Sequence, residues 1–205
     1  VYLRKTFEIT KPVLQAYLCI CGLGYFESRI NGEKTGDDLL SPAFTDFSKT
    51  DSYMTYDVKS LLCQGKNAIS VILGNGWYNC FADDPWNTRA ATWRHWPKMI
   101  CELKLTYADG TEEKLVSDTS WKGGKGPIFF NGIRNGEHYD ARLELGDQRP
   151  DFRLGRRDMK PIAEEMTRRF AQGFRNALNR LLSIAPIVDC AFVERLPVAI
   201  ENRFH

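Results

Sequence analysis

Hydrophobic positions in this chain fall in short runs separated by turn-forming residues, a spacing that predicts strands. Leu14 to Gly22 is a nearly continuous apolar run, as expected of a strand buried on both faces. Tyr25 to Ile30 follows, and the Asn31-Gly32 pair after it is the chemistry of a tight hairpin. Tyr53 to Val58 and Asn67 to Leu73 read as further strands, joined by a connection that contains Gly65. Met99, Cys101, Leu103, Leu105 and Tyr107 alternate with Ile100, Glu102, Lys104 and Thr106, which predicts a strand with one buried and one solvated face. Ala108-Asp109-Gly110 turns that strand into Thr111 to Ser117, and Pro127 to Ile133 completes the series. Many short antiparallel strands at this spacing predict a mainly β fold, a sandwich or jelly roll.

Two stretches break the rhythm. Asn75 to Pro97 is long and irregular, yet it holds Trp77, Tyr78, Phe81, Trp86, Trp93 and Trp96. Aromatic side chains at that density need burial or a ligand, so a functional loop is the expectation rather than a disordered one. The second break comes after about Gly146. Residues 1–146 carry 6 Arg and 11 Lys, the remainder 10 Arg and 1 Lys, and every Trp and Tyr precedes position 140. In that tail Ile162, Met166, Phe170, Phe174, Leu178 and Leu182 recur every fourth residue, the mark of an amphipathic helix that Ala185-Pro186 would end. The expected organisation is a β domain over 1–146 and an atypical Arg-rich tail over 147–205. That tail reads either as a helical or out-of-frame appendage, or as a basic amphipathic helix for a partner or membrane surface.

Composition narrows the class. The 205 residues are 43% hydrophobic and 26% charged, which fits one ordinary folded domain with a short appendage. A net charge of +2 gives no electrostatic case for nucleic acid. No apolar run approaches the ~18 residues of a membrane span. The chain opens Val1-Tyr2-Leu3-Arg4-Lys5, without an initiator Met or a leader, and so reads as a piece of something longer. The six cysteines include no CxxC pair, which argues against a zinc site. Cys19 and Cys21 would share one face of a strand, as small buried hydrophobes.

Candidate chemistry concentrates in the aromatic loop. Asn75, Trp77, Tyr78, Asp84, Trp86, Asn87 and Arg89 form the candidate carbohydrate-binding set: indole faces for the C–H groups of a sugar ring, amides and charges for its hydroxyls. The competing reading has Trp77 plugging the sandwich edge while Gly74 and Gly76 shape the turn. No cofactor is required. Asp83-Asp84 with Asn87 offers calcium-type oxygens, though not at EF-hand spacing, and a solvated loop face explains them equally. Glu137, His138, Tyr139, Asp140 and Arg142 form a polar cluster, read as a Glu–Arg ion pair at the end of the sandwich or against a neighbouring domain. His95 has no partner at metal-ligand spacing and is read as structural.

A set of motifs resembles the N-terminal domain of bacterial α-L-rhamnosidases, in the family's order. They are Gly22-Leu23-Gly24-Tyr25-Phe26-Glu27, Ile30-Asn31-Gly32 with Gly36-Asp37-Asp38, and Leu40-Ser41-Pro42-Ala43-Phe44-Thr45-Asp46-Phe47. Tyr56-Asp57-Val58, Leu73-Gly74-Asn75-Gly76-Trp77-Tyr78, and Arg94 with Pro97-Lys98 continue it. Asp118-Thr119-Ser120-Trp121-Lys122, Gly126-Pro127-Ile128 and Gly136-Glu137-His138-Tyr139-Asp140-Ala141-Arg142 complete it, and the likeness stops near Gly146. The resemblance implies a galactose-binding-like jelly roll beside a separate α/α-barrel catalytic domain. It also implies a parent enzyme that removes terminal α-L-rhamnose from glycans with inversion, in the periplasm or outside the cell. The family's catalytic carboxylates lie in the barrel, and no such motif occurs here, so no catalytic residue is carried over. Three roles remain open: an accessory domain that binds sugar, a structural domain buttressing the barrel, and a free-standing carbohydrate-binding module.

Inverting hydrolysis needs two carboxyl groups roughly 6.5–9.5 Å apart across a cleft. The isolated chain is therefore expected to leave aryl α-L-rhamnosides intact. Turnover by purified protein that a single Glu→Gln change abolishes would show otherwise.

Overall fold

The computed structural model describes residues 1–144, 160–161 and 195–197. The helix expected between Ile162 and Leu182, and most of the tail, lie outside the described residues. The strands are β1 (Tyr2–Ile9), β2 (Val13–Leu23), β3 (Tyr25–Ile30), β4 (Glu33–Lys34), β5 (Thr50–Ser52), β6 (Met54–Asp57) and β7 (Gly65–Gly74). After the aromatic loop come β8 (Lys98–Tyr107), β9 (Glu112–Val116), β10 (Lys122–Gly124), β11 (Ile128–Gly132) and β12 (Gly136–Tyr139). Two short segments, β13 (Lys160–Pro161) and β14 (Arg195–Pro197), pair with β10 and β5.

All pairings are antiparallel, as the turn chemistry predicts. One sheet runs β13-β10-β1-β7-β3-β4, the other β6-β2-β8-β9, and β11 and β12 form a separate hairpin. The two main sheets face each other. Leu3, Ile9, Phe26, Ile30, Ile69, Val71 and Leu73 come from the first, and Ala16, Leu18, Ile20, Cys101, Leu103, Leu105 and Tyr107 from the second. This is the expected antiparallel jelly-roll sandwich: period-2 alternation delivers one apolar face per strand, and burying both faces together supplies the driving force.

Alternation also places one cation on the inner side. Lys5 lies in register with Leu3 and Ile9, so its ammonium has to reach the sandwich edge. There it meets both carboxylate oxygens of Asp118, at 2.9 and 3.1 Å. The Trp121 indole N–H, from the same Asp118-to-Trp121 turn, donates to the Val116 carbonyl at 3.0 Å, and the ring is 1% exposed. Burial pushes the Asp118 carboxyl up, but hydrogen bonds from Ser120 and Lys5 outweigh it, so the group sits below its ordinary value.

The alternation in β8 holds with one correction. Glu102 falls on the outer face, as expected, but is only 2% exposed. Its carboxylate lies 3.1 Å from the Lys114 ammonium, while Lys104 pairs with Glu112 at 2.9 Å. Lys104 and Lys114 stand directly opposite each other in the ladder, and a carboxylate on each diagonal relieves their repulsion. Cys19 and Cys21 share that outer face and are buried free thiols. The Asn31-Gly32 hairpin forms as expected between β3 and β4, with both residues at positive φ (53° and 92°).

The corner that fixes the loop lies where β2 hands over to β3, so that the chain crosses from one sheet to the other. Gly24 has φ of +107°, and a Cβ there would stand 2.3 Å from the Gly74 carbonyl and 3.3 Å from Pro97. Only glycine permits that approach. Gly24→Ala is expected to destabilise well beyond the ~1–3 kcal/mol of backbone strain alone. Gly32→Ala, where the added Cβ meets nothing within 4 Å, should cost only that strain. Denaturant midpoints for the two variants check the difference, and equal losses would refute the close-approach reading.

Candidate functional site

The aromatic loop occupies residues 75–97, the interval left between the last residue of β7 and the first of β8. It is anchored on two sides. On the outer face of the four-stranded sheet, Leu23, Phe47 and Tyr78 form a second core cluster flanked by Trp77 and Trp93. The Phe47 ring meets Tyr78 edge-on at 5.3 Å, and Phe44 meets Trp77 at 6.0 Å. On the other side Asn75 is pinned to the β11–β12 hairpin. Its backbone N–H donates to Asn131 Oδ1 and its Nδ2 to the Asn131 carbonyl, both at 2.7 Å. Asn79 Nδ2 donates to Asn75 Oδ1 at 2.7 Å.

Between the loop and β10–β11 lies a cleft of about 780 Å³, within the size range of ligand pockets. Phe81, Trp96, Phe129 and Phe130 supply its aromatic walls, and Asn75, Asn79 and Asn131 its amides. Trp96 is 73% exposed at its mouth. Among the described residues, Asn79 Oδ1 and Asn131 Nδ2 have no hydrogen-bond partner, so an acceptor and a donor are left for a ligand.

A second surface stands on the same loop and hairpin. The Arg134 guanidinium, from the β11–β12 turn, is 5.6 Å from the Trp77 ring and 5.4 Å from the Trp86 ring. Such cation–π stacks hold exposed side chains in place. Trp86 is 71% exposed.

The structure disperses the seven residues expected to bind sugar. Asn75 lines the cleft; Trp77 and Trp86 flank Arg134. Tyr78 is a core residue and presents no surface to solvent. Asp84 organises the loop tip, accepting from the Trp86 amide at 2.8 Å, the Thr88 amide at 3.3 Å and the Thr88 hydroxyl. Asn87 takes the left-handed conformation there, and Arg89 pairs with Asp83 at 3.3 Å. Asp84 is thus engaged in turn formation, and among the described residues no group of three His, Cys, Asp or Glu side chains is placed to hold a metal.

His95, read as structural, is exposed and lines the cleft. One further expectation needs correction. In the 137–142 cluster no Glu–Arg pair forms: Arg142 pairs with Asp140 at 2.7 Å, its immediate neighbour in the turn. Tyr139 donates to Glu144 at 2.5 Å, and that hydrogen bond is the first cause of its phenol being pushed up to about 12. Arg94 and Trp96 belong to the 75–97 loop singled out in the sequence, whereas Lys125 and Phe129 reach the cleft from a segment distant in the chain, which local sequence patterns do not connect to the loop.

A family model for the α-L-rhamnosidase N-terminal domain matches residues 11–164. The chain belongs to this family. An α-L-rhamnosidase of Formosa agariphila is 44% identical over 149 residues, 71% of this chain and 16% of that protein. Among solved structures, the α-L-rhamnosidase of Dictyoglumus thermophilum superposes with a TM-score of 0.68 at 39% identity, covering 80% of this chain and 18% of that one. That of Streptomyces avermitilis, solved with L-rhamnose, gives 0.70 at 33% identity over 80% of this chain and 16% of that one. The chain therefore spans under a fifth of the length of these relatives. Among the described residues no helix is long and apolar enough to cross a membrane.

The loop tip carries a pH dependence. The Thr88 hydrogen bond is the largest cause holding the Asp84 carboxyl below its ordinary value, with Arg134 assisting. A lowered folded value means stabilisation present above the unfolded carboxylate value and lost as pH falls through the folded one. Trp86 fluorescence, taken as the difference from Trp86→Phe, is expected to change in acid. Asp84→Ala should show that acid signal already at neutral pH; superimposable profiles would remove Asp84 from this role.

Proposed function

We propose that this rhamnosidase N-terminal domain is an accessory carbohydrate-binding domain. In this reading it holds a rhamnose-containing glycan for a parent enzyme that hydrolyses terminal α-L-rhamnose, whose chemistry is done by a neighbouring catalytic domain. The observation that carries the reading is the cleft at the sandwich end, with its aromatic walls and two free amide groups. Deoxyhexoses present a methyl group and an apolar ring face, which an indole covers, while amides serve the hydroxyls. Trp96, Asn79 and Asn131 form the centre of the site, Asn75 braces it, and the Trp77–Arg134–Trp86 stack extends it. The strands themselves are committed to the core, so binding falls to the end loops.

A second role, seating the remainder of the enzyme, is favoured by the exposed Leu39, Leu40 and Phe44. Leu40 holds φ of +55° there, an uncommon conformation for a branched side chain, and presents its apolar group to solvent.

L-Rhamnose titration of the chain, followed by NMR amide shifts, tests the binding reading. A dissociation constant on the order of millimolar is expected. Saturable shifts should fall in residues 94–97 and 125–131, and Trp96→Ala should weaken binding about tenfold. Saturable shifts elsewhere, with this cleft silent, would refute the site; no binding at all would leave the seating role.

A further inference from the structure

The charge of the cleft points to a narrower class of ligand than a neutral sugar. Arg94, His95 and Lys125 line it, and among its described lining residues there is no Asp or Glu. The chain as a whole carries 28 basic and 26 acidic side chains, so a wall with cations alone is a local departure from a nearly balanced surface. The cations are also unspent. Elsewhere on the described surface most charges are paired: Lys5 with Asp118, Lys11 with Asp109, Lys49 with Asp46, Lys104 with Glu112. Neither the Arg94 guanidinium nor the Lys125 ammonium makes a hydrogen bond or ion pair with a described residue. The Arg94 Nε is shut away from solvent and still lacks an acceptor.

We infer that the cleft takes an anionic saccharide, one bearing a carboxylate or sulfate oxyanion beside the neutral sugar. This rests on the carbohydrate-binding reading of the same cleft and adds the charge of the ligand to it. Arg94 is the primary contact: a guanidinium fork can offer its terminal N–H groups to an oxyanion. Lys125, on the segment between β10 and β11, adds a point charge from the opposite wall. Trp96 and Phe129 cover the ring faces of the adjoining neutral residue, and Asn79 and Asn131 serve its hydroxyls. A negatively charged sugar would also be drawn in from solution, because no carboxylate in the described wall repels it.

The test is calorimetric or NMR titration of the full chain with four probes: L-rhamnose, D-glucose, D-glucuronate and a sulfated monosaccharide. The two anions should bind at least about tenfold more tightly than D-glucose, and the advantage should shrink as salt is raised. The order of the two anions identifies which oxyanion the fork prefers. Arg94→Gln and Lys125→Gln should each remove about tenfold of the anion affinity and lower the ratio of anion to D-glucose affinity by a similar factor. Lys125 is exposed, so its replacement carries no folding cost and keeps the test valid if Arg94→Gln misfolds. Equal affinity for neutral and anionic probes, or anion binding indifferent to both substitutions, overturns the charge inference and leaves the sugar site standing. Failure of all four probes to bind takes both readings down.

Discussion

The close approach of backbone at Gly24 and Gly74 is the constraint on which the rest depends. A two-sheet sandwich needs the chain to change sheets, and here two crossings share one corner. β2 leaves the four-stranded sheet and becomes β3 of the other at Gly24. β7 leaves the six-stranded sheet at Gly74 and, after the aromatic loop, returns as β8 beside β2. The Gly24 Cα faces the Gly74 carbonyl at a distance that excludes any side chain. That contact ties both ends of the loop to the same corner, so a long irregular segment is held as firmly as a short turn.

Everything that follows at the site is a matter of how the loop is then covered. Its inner aromatics, Tyr78 and Trp93, settle with Leu23 and Phe47 on the outer face of the four-stranded sheet. This second cluster accounts for a sheet face that is buried on both sides near the corner and solvated toward Lys104. On its other flank the loop meets the β11–β12 hairpin through Asn75 and Asn131, two side-chain amides that replace missing backbone pairing. The cleft is the space left between these anchors. The amide wall is held in place by the Asn75, Asn79 and Asn131 hydrogen bonds, which lowers the ordering cost of recognising a small polar ligand there.

The same physics separates residues that shape the loop from residues free to act. Asp83, Asp84, Asn87 and Arg89 look available in sequence because they are polar and lie in a loop. Asp84 is consumed by local turn bonding, since a short polar side chain at a loop tip competes for nearby backbone N–H groups, while Arg89 and Asp83 pair with each other. Arg94, Lys125 and Asn131 look unremarkable in sequence and retain unspent donors, because their segments leave them facing a cavity instead of a neighbour.

The sequence by itself determined the strands, the antiparallel sandwich, the Asn31-Gly32 hairpin, the position of the aromatic loop and the family. These rest on local rules: period-2 alternation, turn residues with positive φ, and motifs that are contiguous in the chain. Glu102 shows where such rules end, because alternation placed it on the outer face but could not say that the face would be covered. Tyr78 and Trp96 make the same point from opposite directions: two aromatics of one loop, one sealed in the core and the other at the mouth of a cleft. Only the tertiary structure decided between them, since burial depends on what packs against a residue. The partners here, Leu23 and Phe47 for one and the β11–β12 hairpin for the other, are distant in the chain and brought close by the corner at Gly24.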